Sequence, residues 1–387
     1  MLTLSRRRLI VLAGAGLAFP QLSFGAAPTA RISSVRIISL RPGHYHGWPT
    51  LARRSSGELL LVCSGGRDAH VCPFGQVELM QSRDDGATWT FPRVLLDGPI
   101  DDRDAGVVET PKGTLLVTTF SSLAYEPILE RAEKTAPADA AAWPPVKLAA
   151  WRAVHARHDS ATRKRELGTW MLRSTDGGVT WAPRVDCLVN SPHGPFVTAE
   201  GRLLYAGKDL WKSGRWIGVC ESTDDGQSWR KLSEIPARRG DDPAAYHELH
   251  GVQAADGRLV VHIRNHNGQH ERETLQTDSA DGGKTWSEPR SIGVWGLPSH
   301  LLRLRDGRLL MSYGHRRKPF GNQARVSADH GKTWSEPLTL SADGAGGDLG
   351  YPSTVELKDG SLLTVWYEKI AGNPNAVLRQ ARWNLEG

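Results

Sequence analysis

The chain has 387 residues, 39% hydrophobic and 23% charged, with 41 Gly, 23 Pro and 14 Trp against only 7 Tyr and 7 Phe. That composition excludes a disordered, collagenous or disulfide-scaffold protein and supplies a sizeable core. The formal net charge of +6 would suit a polyanionic partner, but half of it lies in one N-terminal stretch.

There, Ser5-Arg6-Arg7-Arg8-Leu9-Ile10 leads into an apolar run from Leu9 to Phe19, followed by the small residues Gly25, Ala26 and Ala27. This reads as a twin-arginine export signal over 1–26, because the run is too short to span a bilayer. Cleavage removes Arg6, Arg7 and Arg8 and no acidic residue, lowering +6 to +3. No Lys/Arg-rich run long enough to invite a nucleic-acid reading remains, and neither nucleic acid nor a membrane span is expected. The expected location is the bacterial periplasm or the exterior. Cys63, Cys72, Cys187 and Cys220 form no CxxC pair, which argues against a zinc ribbon. Export would permit oxidation; a Cys63–Cys72 bridge and a pair of buried thiols are equal alternatives.

Two repeats run through the rest. The first reads S-x-D-x-G-x-[ST]-W, at Ser82 to Trp89, Ser174 to Trp181, Ser222 to Trp229, Ser279 to Trp286 and Ser327 to Trp334. Its Asp can accept backbone N–H groups in a turn, its Gly supplies a positive φ, and its Trp is expected to pack back over the hairpin. The second is a polar-Gly turn before a strand, at Gly57, Gly113, Gly201, Gly257, Gly307 and Gly360, a strong hairpin signal. Four of the five intervals run 50 to 56 residues, and the second runs 88. A period near 50 suits a four-stranded blade. The fold is therefore expected to be all-β: a six-bladed β-propeller over 31–387. The excess, about 125–167, is rich in Ala, Lys, Arg and Glu and reads as a partly helical insertion in blade two, either a rim over the site or a solvated excursion. Arg31 to Leu40 and Ala376 to Trp383 are candidates to close the sixth blade, leaving no free sheet edge. The closed ring is read as a monomer.

In each blade the Gly turn and the Asp turn fall on one face. The opposite face receives the starts of the first strands and the ends of the second. It collects His44, His46, Trp48, Arg67, Asp68 and His70 from blade one, and Asp101 to Asp104 from blade two. His193, Lys208 and Asp209 come from blade three, and Tyr246 to His250 with Arg264 to His266 from blade four. Blades five and six add His300, His315 to Arg317, Tyr351, Tyr367 and Glu368.

These repeats resemble the sialidase (neuraminidase) superfamily, whose six-bladed propellers carry such Asp-box turns. The resemblance implies a Tyr nucleophile activated by a Glu, an Asp acid/base and Arg residues holding a carboxylate. Tyr351 in Gly350-Tyr351-Pro352-Ser353 matches the Tyr. Glu248 in His247-Glu248-Leu249-His250 matches the Glu. Arg264 and Arg316 (or its neighbour Arg317) match two of the arginines, and Glu368 resembles the last-blade Glu. A phenol nucleophile avoids the repulsion that a carboxylate would meet at a carbon bearing a carboxylate, and Arg fixes that group. Asp68 and Asp104 are both candidates for the acid/base.

The sequence also departs from the pattern. The family's first Arg is absent where His46-Gly47-Trp48-Pro49 stands, with Arg67 nearby. His46, His193, His247 and His300 have no counterpart and are read as substrate-binding. With no HExxH spacing, no metal and no cofactor are expected. The reading is an exported exo-glycosidase hydrolysing terminal anionic sugars from a glycan. The alternatives are a related hydrolase or lyase acting on uronate-containing glycans, and a non-catalytic glycan-binding propeller.

Overall fold

The computed structural model describes residues 27–39, 41, 43–211, 216–268 and 272–387. The expected signal over 1–26 lies outside the described residues. Six antiparallel sheets of four strands succeed one another along the chain. Blade one has its first strand at Tyr45–Arg53 and blade two at Asp101–Glu109. The first strands of blades three to six are Phe196–Val197, Tyr246–Gln253, Ser299–Arg303 and Leu349–Glu356. This is the six-bladed propeller that the repeats imply.

The turns are built as the side chains dictate. In the first Gly turn, Gly57 takes φ +93° and donates to Arg54 O, while Arg54 N donates to Glu58 O. In the second Asp turn, Asp176 accepts from Val179 N, Thr180 N and Thr180 Oγ1, and Ser174 Oγ caps Gly178 N. The carboxylate thus satisfies donors that the turn would leave open.

The Asp-turn Trp residues behave differently from expectation. Only Trp181 donates within its own turn, to Gly178 O. The other four indole N–H groups reach the preceding blade: Trp89 to Gln380, Trp229 to Met171 Sδ, Trp286 to Ser233 and Trp334 to Gln276. A large aromatic at a blade's outer corner buries more surface in the seam than over its own hairpin.

Closure uses both candidate segments. Thr29–Ile37 pairs with Val377–Glu386, which continues the sheet of Leu362–Glu368 and Leu349–Glu356. Blade six therefore takes its outer strand from the N-terminal side, beginning at Thr29, two residues before the expected start. Trp383, fully buried, donates to Thr364 Oγ1 at 3.0 Å beside Trp366.

The insertion forms three helices, Glu126–Lys134, Pro145–His155 and Ser160–Arg165, between the second and third strands of blade two. That connection lies on the face of the first-strand starts. Trp151 anchors it among Cys72, Ile100, Tyr125 and Leu129. All four cysteines are buried free thiols, so the Cys63–Cys72 bridge is not made. Among the described residues no helix is long and apolar enough to cross a membrane.

Trp383→Ala leaves a cavity at the closing seam and is expected to lower unfolding free energy by about 3–5 kcal/mol. Urea titration of the native and substituted chains reads the shift in midpoint at constant slope.

Candidate active site

The first strands do not run straight. In blades one, two, four and six each carries a bulge with a non-glycine residue in left-handed backbone: Trp48 (φ 53°), Asp104 (φ 49°), Glu248 (φ 41°) and Tyr351 (φ 53°). The bulges lie at Gly47/Thr50, Arg103/Gly106, His247/His250 and Gly350/Ser353. Each such residue precedes its turn glycine (Gly57, Gly113, Gly257, Gly360) by nine positions. The same count in blades three and five gives Pro192 and Pro298. Such backbone costs of order 1–3 kcal/mol per residue, and a bulge re-aims a side chain. Here it turns four side chains onto the axis at one level.

Tyr351 and Glu248 stand two blades apart. The blade between them offers only Pro298 at this level, and the two side chains meet across it. Tyr351 Oη donates to Glu248 Oε1 at 2.5 Å. Arg264 Nη1 donates to Glu248 Oε2 at 2.5 Å and to Tyr351 Oη at 3.3 Å. The Arg316 guanidinium lies 5.7 Å from the Tyr351 ring centre, anchored through Nε to Leu349 O at 3.0 Å. Trp48, Tyr351 and Tyr367 pack mutually with centroids 5.8–6.3 Å apart.

Proton affinities in this group diverge. Burial pushes the Tyr351 phenol well above its usual range, with Glu248 and Asp104 adding to the rise. Burial opposes ionisation of Glu248 as well, but Arg264 and the Tyr351 hydroxyl outweigh it and hold the carboxyl below its ordinary value. Asp104 is pushed up to about 7, chiefly by burial and further by Glu248, against the pull of Arg103. Its Oδ1 has no hydrogen-bond partner among the described residues. An ionised base, a neutral phenol on that base and a carboxyl protonated near neutrality are the states that general acid–base chemistry requires.

The remaining candidates lie elsewhere. Asp68 accepts from Trp151 Nε1 at 2.9 Å and faces Lys147, both of the insertion. Arg67 is fully buried and grips both oxygens of Asp101 at 2.6 and 2.9 Å. Glu368 pairs with Arg379 at 2.6 Å and accepts from Trp366, on the seam side of its strand. His46 faces Glu78 at 3.7 Å, and burial lowers it to about 4. His247 sits against Lys208 Nζ at 3.5 Å and the His266 ring. One layer below the strained residues His300 stacks on His250 and His193 meets both rings edge-on, 6.4 Å from the Tyr351 ring. Among the described residues no three His, Cys, Asp or Glu are placed to hold a metal ion.

Two features escape a reading by position alone. Trp48, in the His46-Gly47-Trp48-Pro49 segment that lacks the family's first Arg, is flanked by the guanidinium carbons of Arg67 at 4.9 Å and Arg103 at 4.5 Å. Asp348 gathers Tyr45 Oη at 2.9 Å, His70 Nδ1 at 3.0 Å and Tyr367 Oη at 3.2 Å. The nine-residue count back from each turn glycine would have found the axial four directly.

The fold is a six-bladed propeller built on Asp-box repeats. The chain belongs to the BNR repeat-like domain family, matched over residues 128–364. Among solved structures, a Dyadobacter fermentans protein of unknown function is 22% identical at TM-score 0.71, over 92% of this chain and 99% of that one. The intramolecular trans-sialidase of Ruminococcus gnavus, in complex with oseltamivir carboxylate, is 15% identical at TM-score 0.61, over 88% and 94%. The NanB sialidase of Streptococcus pneumoniae is 16% identical at TM-score 0.62, over 92% and 70%. At these identities the likeness is one of fold. No curated protein matches the chain.

Asp104 gives a pH signature. Its proton is held more tightly folded than unfolded, so its contribution to stability falls as pH rises from the ordinary 3.8 to about 7 and is level above. Asp104→Asn is expected to make the fall shallower. Asp102, also raised to about 7 by burial, keeps part of the slope. Denaturation curves at intervals from pH 4 to 8 measure it; parallel profiles for both chains would exclude a raised Asp104.

Proposed function

We propose that this chain is an exo-glycosidase that removes a terminal anionic sugar, of the sialic-acid type, from a glycan. The observation that carries the reading is the Tyr351–Glu248–Arg264 contact on the propeller axis, beside a buried Asp104. Glu248 takes the proton from Tyr351 Oη as that oxygen attacks the anomeric carbon. Asp104 gives its proton to the departing glycosidic oxygen. A covalent tyrosyl–sugar results; Asp104, now ionised, takes a proton from the attacking water while Glu248 returns its proton to the departing Tyr351 Oη. Two displacements retain configuration. Arg264 and Arg316 meet the sugar carboxylate, and Trp48 offers an aromatic face to the ring.

The missing first arginine and the histidines around the site favour one second reading, a smaller uronate sugar processed at the same centre. The twin-arginine segment supports export of the folded protein, which would place the enzyme where glycans are met.

Aryl sialosides and aryl uronides distinguish the two substrates. Tyr351→Phe is expected to reduce kcat/KM on the accepted glycoside about 10³-fold or more, and Glu248→Gln and Asp104→Asn about 10²–10⁴-fold each. Turnover of neither class at high enzyme concentration would sink the hydrolase reading. Unsaturated products absorbing in the ultraviolet would replace it with elimination.

A further inference from the structure

A cavity of about 470 Å³ enters the axis from the other face, that of the Gly and Asp turns. Its size lies in the range of small-molecule sites. One register supplies an apolar ring of its wall. Ala52, Val108, Phe196, Val252, Leu302 and Val355 each occupy the pairing position opposite the second apolar residue of the turn repeat, one per blade. All six line the cavity, and Ala52, Val108, Val252 and Leu302 are only half-buried. The result is a hydrocarbon collar.

The two ends of the collar differ. At the rim, Arg305 is paired with Glu356 at 3.1 Å. Arg53 and Arg303 also line the cavity and make no ion pair or side-chain hydrogen bond among the described residues. At the floor lie His193, His250 and His300. His250 Nδ1 accepts from Leu301 N and His300 Nδ1 from Thr354 N. Among the described residues His193 Nε2 is buried without a hydrogen-bond partner, on a residue only 2% exposed. The three rings separate this cavity from the Tyr351 level above it.

We propose that this cavity is a second ligand site, for a small monocarboxylate with an apolar body. The carboxylate is met by Arg53 and Arg303 at the rim, and the body fills the collar down to His193. A sugar does not suit it, because hydroxyl groups inside the collar would lose water without gaining partners. A purely inorganic anion would leave the collar unused. The inference does not depend on the reaction proposed for the other face.

Calorimetric titration of the purified chain with hexanoate tests it, with hexanol and inorganic phosphate as comparison probes. Saturable hexanoate binding at or below about 1 mM is expected, with hexanol at least about tenfold weaker. Arg53→Gln with Arg303→Gln should weaken hexanoate about tenfold or more. Val252→Trp should abolish binding by filling the collar, and the exposed Arg303→Gln alone keeps the test open if the Trp variant does not fold. Tyr351→Phe should leave hexanoate affinity unchanged. The proposal is overturned by no saturable binding up to about 10 mM, by equal affinity for hexanol or phosphate, by indifference to the arginine changes, or by loss of binding in Tyr351→Phe.

Discussion

The site depends on a backbone constraint repeated around the ring. A straight antiparallel strand would point successive side chains toward the two neighbouring blades, not along the axis. The bulges at Trp48, Asp104, Glu248 and Tyr351 break that alternation, and each puts an L-residue into left-handed backbone. The strain is tolerable because the strands on either side are locked into full ladders, from Thr50↔Val62 in blade one to Ser353↔Val365 in blade six. In these four blades the regular part thus holds the irregular part in place, and the irregular part carries the candidate site.

Electrostatics follow from that geometry. Three ionisable axial side chains withdrawn from water, Asp104, Glu248 and Tyr351, cannot all keep ordinary proton affinities. Arg264 resolves the competition by siding with Glu248, which ionises. Tyr351 and Asp104 then retain their protons. The aromatic wall of Trp48, Tyr367 and Tyr45, with Asp348 and His70 beyond it, keeps this end of the axis structured on the blade-one and blade-six side. The helical insertion braces the same side through Trp151 and Asp68, so its packing is tied to the rim of the site.

Sealing of the ring is a separate matter. Four Asp-turn tryptophans donate backward into the preceding blade, from Trp89 on Gln380 to Trp334 on Gln276. Blades two, three, four and six are therefore each latched by the blade that follows around the ring. The Thr29–Ile37 strand completes blade six against Val377–Glu386 and makes the latching circular. A local hairpin motif serves in this way as a long-range fastener.

The sequence by itself determined the blade count, the turn chemistry and the place of the insertion. Gly57 to Gly360 and the five Asp turns act through neighbours within a few residues, so their effect is written locally. It also placed Tyr351, Glu248 and Arg264 on one face, because strand starts and ends follow from the turns. Tertiary structure alone decided which of the face's residues meet. Arg67 is taken up by Asp101, Asp68 by Trp151 and Glu368 by Arg379, partners distant in sequence or set by which side of a strand faces a seam. The tryptophans' reach into the preceding blade and the clustering of three histidines below Tyr351 were equally hidden. Ring closure brings residues from blades two and three positions apart onto one axis, and that proximity has no local signature in the chain.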